Sequence, residues 1–160
     1  MKIAVACDHA GFPLKEGTIA LLRQLGHSVE DLGTNSTDPV DYPDYARAVA
    51  EAVVSGRCER GVVLCGSGVG ASIAAAKVPG VRAAMCHDTF SARQGVEDDD
   101  MNVISLGARV IGPSLAAEVV RAFTGAKFSG LERHVRRLAK IHAIEDDAAS
   151  GVFDEARRNS

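Results

Sequence analysis

Gly61-Val62-Val63-Leu64-Cys65-Gly66-Ser67-Gly68-Val69-Gly70 is the stretch that decides how this chain folds. Its first half is an unbroken apolar run of strand length, the pattern of a strand covered on both faces of a parallel sheet. Its second half places glycines at 66, 68 and 70, a turn in which backbone can come close to a ligand. A small-residue helix, 71–77, is expected to follow. Strand, glycine turn and helix make one repeating unit of an α/β sheet.

The alternation continues on both sides of that unit. Residues 2–7 read as a short buried strand ending at the polar turn Asp8-His9-Ala10-Gly11. Pro13 suits the first turn of the next helix, where its missing N–H is unpaired in any case. Leu14, Ile19, Leu21, Leu22 and Leu25 give that helix an apolar stripe, and Gly26 stands where a C-terminal cap belongs. Residues 28–32 read as a weaker strand and 33–41 as a polar loop. Tyr42-Pro43-Asp44 opens a helix with Ala46, Val49, Ala50 and Val53 on one face. Strands are expected at 81–86 and 103–106, and helices at 89–97, 113–123 and 131–144. The fold class is α/β, a five-stranded parallel sheet with helices on both faces. Residues 1–144 form one domain, and 145–160 a polar, small-residue tail expected to be a frayed helix or disordered.

The chain has 160 residues, of which 46% are hydrophobic and 24% charged, as expected of a single compact domain. That composition excludes a disordered or collagen-like protein. A net charge of −3 excludes a bulk basic field, and aromatic residues are 4% with no Trp, so no nucleic-acid partner is expected. No run approaches the roughly 18 to 20 apolar residues of a membrane helix, so no membrane partner is expected either. Met1–Asp8 turns acidic too early for a signal peptide. Cys7, Cys58, Cys65 and Cys86 lack CxxC spacing, which favours a reduced, cytoplasmic protein over a disulfide scaffold or a zinc site.

Ligands of open parallel sheets bind beyond the carboxyl ends of the strands. Three unusual turns fall at those ends: 8–11, 65–70 and 87–89. The glycine turn departs from GxGxxG and lacks a following Lys-Ser or Lys-Thr, which argues against nicotinamide and nucleotide P-loop binding. It suits a phosphate or an oxyanion, although a tight turn without ligand has the same pattern. Cys65 precedes it, and a thiolate there is a candidate base or nucleophile; the alternative is a structural buried cysteine. Asp8-His9 reads as a phosphate- or proton-handling pair or as a helix cap. Arg133 and Arg137 are four apart, near Arg136 and His134, and share a helix face that suits a phosphate or plain solvent. Glu97-Asp98-Asp99-Asp100 ends a helix against its dipole, an unfavourable choice that points to a constraint.

Several segments, taken in order, carry a wider resemblance. They are Asp8-His9-Ala10-Gly11, Asp41-Tyr42-Pro43-Asp44-Tyr45, Cys65 through Gly70, Ala75 through Ala83, and Asn102 through Gly112. In order and spacing they resemble the type B ribose-5-phosphate isomerase family, which also contains galactose-6-phosphate isomerase subunits. The resemblance spans residues 1 to about 144. It implies a Rossmann-like three-layer sandwich. It implies a homodimer with shared active sites, or a dimer of such dimers. It also implies interconversion of aldose and ketose phosphates through an enediolate, with a small sugar phosphate as partner and no cofactor or metal. On the same basis Cys65 is the base between C1 and C2, since Ala71 stands where other members place a Glu. Gly66, Ser67, Gly68, Val69 and Gly70 form the anion hole, and Asp8 shuttles protons between substrate oxygens. His9, Arg133 and Arg137 contact phosphate, Arg109 contacts substrate, and Tyr42 lines the pocket.

One departure bears on substrate. Relatives carry a ring-opening His and a substrate-binding Asn where this chain has Asp98 and Asp99. Asp98 is expected to serve as the acid in an acidic cluster that holds its proton. Alternatively, His87 supplies the proton, or the substrate has no furanose ring to open. Ribose 5-phosphate is the default substrate. A tetrose such as erythrose 4-phosphate or erythrulose 4-phosphate is the rival, and a non-catalytic sugar-phosphate-binding subunit the reading from another class.

Overall fold

The computed structural model describes residues 1–154. The elements in chain order are β1 (Lys2–Cys7), α1 (Phe12–Gln24), β2 (Ser28–Asp31), α2 (Tyr42–Val54), β3 (Arg60–Cys65) and α3 (Val69–Ala75). They continue with β4 (Ala83–Met85), α4 (Thr89–Asp99), β5 (Val103–Gly107), α5 (Pro113–Gly125) and α6 (Glu132–Ala149). The strands form one five-stranded sheet in the order β2-β1-β3-β5-β4, and every pairing is parallel.

Alternation along the central strands divides the core. Ile3, Val5, Cys7, Val62, Leu64, Ile104 and Leu106 face one way and pack with residues of α1, α4 and α5, Phe123 among them. Ala4, Ala6, Val63, Cys65 and Val103 face the other way, against α2 and α3. The second layer is built of Ala and Val, so those helices sit close to the sheet. Cys7 pairs with Leu64, and facing alternates along a strand, so Cys7 enters the first layer with Leu64 while Cys65, one residue further on, enters the second.

Several boundaries depart from the expectation. α3 begins at Val69 because the Ser72 N–H bonds the Gly68 carbonyl at 3.1 Å, closing a helical turn inside the glycine stretch. β4 is shorter than 81–86, since the Val81 N–H closes a turn on Val78 and the Arg82 N–H goes to the Asn102 side chain. Leu25 leaves the apolar stripe as the exposed C-cap of α1. α6 runs past Ile144 to Ala149, and Glu145 accepts the Gly80 N–H at 2.9 Å. The remainder of the expected tail, 155–160, lies outside the described residues. Among the described residues no helix is long and apolar enough to cross a membrane.

Candidate active site

β1, β3 and β5 are neighbours, so the turns after them meet at one edge of the sheet. They enclose a cavity of about 370 Å³. Asp8 and His9 reach it from β1, and Cys65, Gly66, Ser67 and Gly70 from β3 and its loop. Arg109 enters from β5 and Tyr42 from the start of α2. Residues as far apart in sequence as Asp8 and Arg109 thus share one pocket through sheet order alone.

Cys65 is 5% exposed, yet its side chain lines this cavity. Its sulfur accepts the Gly68 N–H at 2.9 Å. Gly68 has φ +86, and a Cβ there would stand 2.9 Å from the Met85 side chain, so glycine suits both the backbone and the space. The Ser105 hydroxyl, fully buried on β5, donates to the Gly68 carbonyl at 2.8 Å and holds the loop down. The other thiols have different surroundings. Burial pushes Cys7 and Cys86 up to about 11 and also raises Cys58, which disfavours a thiolate at all three.

The glycine loop uses part of its donor set internally. The Gly68 N–H serves the sulfur, and the Val69 N–H goes to the Ser67 hydroxyl at 3.3 Å. The N–H groups of Gly66, Ser67, Gly70 and Ala71 meet no acceptor among the described residues. Of the expected 66–70 set, the Gly66, Ser67 and Gly70 N–H groups are therefore open to an anion while those of Gly68 and Val69 are used within the loop, and Ala71 adds a further open donor. Tyr42 packs on Gly70 so closely that a Cβ there would lie 2.7 Å from its ring.

Asp8 is 6% exposed, and its Oδ1 accepts the N–H groups of Ala10 at 2.9 Å and Gly11 at 2.8 Å. That turn is tight: a Cβ on Gly11 would meet the Leu64 carbonyl at 2.1 Å. Oδ2 takes no hydrogen bond from the described residues. His9 Nδ1 accepts the Val40 N–H at 3.2 Å, so the neutral ring carries its proton on Nε2 as a donor. The loop bearing Val40 is anchored at its start by the buried Lys15, which donates to Asp31 at 2.9 Å and to the Thr34 carbonyl at 2.7 Å. Arg109 is exposed; its N–H bonds the Gly66 carbonyl at 2.9 Å, and its guanidinium forms no ion pair among the described residues.

Asp98, Asp99, Arg133 and Arg137 lie outside this cavity's lining. Asp98 accepts from Gln94 at 2.7 Å and stands 3.4 Å from His134 Nδ1. Asp99 lines a separate groove of about 750 Å³ between β4 and α6. Arg133 and Arg137 are exposed on α6. The acidic run is answered by partners: Glu97 pairs with Arg93 at 3.3 Å and Asp100 with Arg82 at 2.7 Å. His87 also lies outside the lining, and its Nε2 accepts the Gly107 N–H at 3.0 Å, a bond that fixes the end of β5. Ser105 and Lys15 are the contributors that pattern reading missed; a polar residue in an otherwise apolar strand or helix face is their only signal. Among the described residues no group of three or more His, Cys, Asp or Glu side chains is arranged to hold a metal.

The Ribose/Galactose Isomerase family model matches residues 3–141. The chain is 46% identical over 144 residues to ribose-5-phosphate isomerase B of Escherichia coli, covering 90% of this chain and 96% of that one. It is 44% identical over 132 residues to D-erythrulose-4-phosphate isomerase of Pectobacterium atrosepticum, covering 81% and 86%. The solved structure of ribose-5-phosphate isomerase B from Clostridium thermocellum superposes with a TM-score of 0.90 at 47% identity, covering 92% of this chain and 99% of that one.

Proposed function

Because the chain belongs to the ribose/galactose isomerase family, we propose that it interconverts ribose 5-phosphate and ribulose 5-phosphate through an enediolate. It is a sugar-phosphate isomerase; ribose 5-phosphate as substrate is supported by likeness to the ribose-5-phosphate isomerases above. The observation that carries the mechanism is the Cys65 sulfur, lining a cavity beside unpaired backbone N–H groups.

The Cys65 thiolate takes the proton from C2 of the open-chain aldose. The C–H electron pair becomes the C1–C2 double bond, and the carbonyl electrons move to O1. The N–H groups of Ser67, Gly70 and Ala71 meet the charge that develops there. Asp8 Oδ2 carries the O2 proton to O1. The thiol then returns its proton to C1 as C2–O2 becomes the ketone. His9 Nε2–H and Arg109 face the far end of the substrate. Arg133 and Arg137 of a second copy complete the grip on its phosphate. Their distance from the cavity within one chain, together with that of Asp98 and Asp99, supports a homodimer with shared sites.

A four-carbon substrate is the second reading. Asp98 in place of a His, and 44% identity to D-erythrulose-4-phosphate isomerase, favour it. O4 of a tetrose 4-phosphate is esterified, so no furanose closes and no ring-opening acid is needed. Side-by-side kcat/KM for ribose 5-phosphate and erythrulose 4-phosphate decides between them. A pentose preference of about a hundredfold or more supports the first reading; the reverse preference replaces it. A purified chain that turns over neither, yet binds both, is a binding subunit.

A further inference from the structure

His134 is 3% exposed and takes no part in the mechanism above, yet both of its ring nitrogens are engaged. Nε2 accepts from Arg133 Nε at 3.0 Å. A neutral ring accepting at Nε2 carries its proton at Nδ1. Nδ1 lies 2.6 Å from the Ser129 hydroxyl and 3.4 Å from Asp98 Oδ1. The other oxygen of Asp98 accepts from Gln94 at 2.7 Å. The Ser129 N–H bonds the Glu97 carbonyl at 2.9 Å, which ties the approach to α6 to the last turn of α4. Carboxylate, imidazole and guanidinium thus form one chain across the α4–α6 contact.

We propose that Asp98 and His134 are a positioning pair for Arg133. The Ser129 hydroxyl at 2.6 Å and the Asp98 carboxylate at 3.4 Å both face Nδ1 and favour the Nδ1–H form of the ring, and the Nε2 lone pair holds the guanidinium by its Nε. That leaves Nη1 and Nη2 as a fork for a phosphate, the geometry in which arginine binds two oxygens at once. The inference rests on the reading of Arg133 as a phosphate contact. It moves Asp98 from proton donor to positioning residue, because Oδ2 accepts from Gln94 and Oδ1 faces the His134 ring at 3.4 Å.

The test is Asp98→Ala, His134→Ala and the double variant, each measured for kcat, for KM and for the Kd of inorganic phosphate. Each single change is expected to raise KM and the phosphate Kd about tenfold while the larger part of kcat remains. The double variant is expected to be no worse than either single one, since both act on one guanidinium. Asp98→Asn, which keeps an oxygen toward His134, is expected to restore most of the loss. The proposal is overturned if Asp98→Ala lowers kcat and leaves KM and the phosphate Kd unchanged, or if the two effects add. Asp98 is partly exposed, so its variants report even if His134→Ala unfolds. The phosphate titration needs no turnover, so a chain without isomerase activity would strike the function proposed above and leave this inference to the titration.

Discussion

The Cys65 sulfur and the Gly68 N–H stand 2.9 Å apart, and this one bond joins the candidate base to the loop that receives the substrate's charge. A donor aimed at sulfur gains strength as the sulfur becomes charged. The Ser105 hydroxyl grips the same peptide unit's residue from below through the Gly68 carbonyl. Strand β5 therefore sets where the base on β3 sits.

Cys65→Ala is expected to lower kcat by about a thousandfold, within the range for loss of a positioned general base. Substrate binding and inorganic-phosphate affinity are expected to change by less than about threefold, because the phosphate contacts lie elsewhere. Steady-state kinetics with a parallel binding titration check this. A variant that keeps more than about a tenth of kcat shows another base.

Ser105→Ala removes a buried hydroxyl from a carbonyl that keeps its bond from the Ser72 N–H. The expected cost is about 1 kcal/mol, seen as a Tm lower by about 2–4 °C. A drop of several-fold in kcat should accompany it as the loop loosens. Unchanged kcat at lowered Tm would detach Ser105 from the site.

Gly107→Ala places a Cβ 2.6 Å from the Ser67 backbone. Backbone lies on both sides of that contact, so the glycine loop must move. We expect about 1–3 kcal/mol of destabilisation and loss of most activity in a chain that still folds, measured by circular dichroism and kcat. Full activity would mean that the loop adapts without cost to chemistry.

The alkaline limb of stability should come from Cys7 and Cys86. Burial raises both to about 11 in the folded chain, from an ordinary value of 9.0. A raised folded value means that the neutral thiol is favoured in the fold. Its contribution is complete below about 9 and is lost as pH rises toward 11. The urea midpoint is expected to fall between pH 9 and 11, and Cys7→Ala/Cys86→Ala to flatten that fall relative to its own value at pH 8. An equally steep decline in the double variant assigns it to other groups.

The order of elements and the place of the site were legible in the sequence because they depend on local patterns. Apolar strand runs, Pro13, Gly26 and the glycine turn each act within a few residues, and strand–helix alternation leaves few topologies open. The shared edge of β1, β3 and β5 follows from that topology. Cys65 stood out through its neighbours, yet nothing local showed that its sulfur turns toward α3 while Cys7 turns toward α1. Facing follows the strand's register in the sheet, which alternates residue by residue.

Partners distant in sequence stayed hidden. Ser105 reaches Gly68 across 37 positions because β3 and β5 pair with Cys65 opposite Gly107. The acid run pointed to a constraint without showing its partners, which are Arg93 on the same helix and Arg82 and His134 from two other segments. The amino-acid sequence alone determined the α/β layers, the strand-end location of the pocket and the residue types that fill it, because periodicity and turn chemistry are short-range. Tertiary structure alone decided which oxygen, sulfur and nitrogen atoms meet, because a hydrogen bond depends on tenths of an ångström that only the packed sheet and helices define.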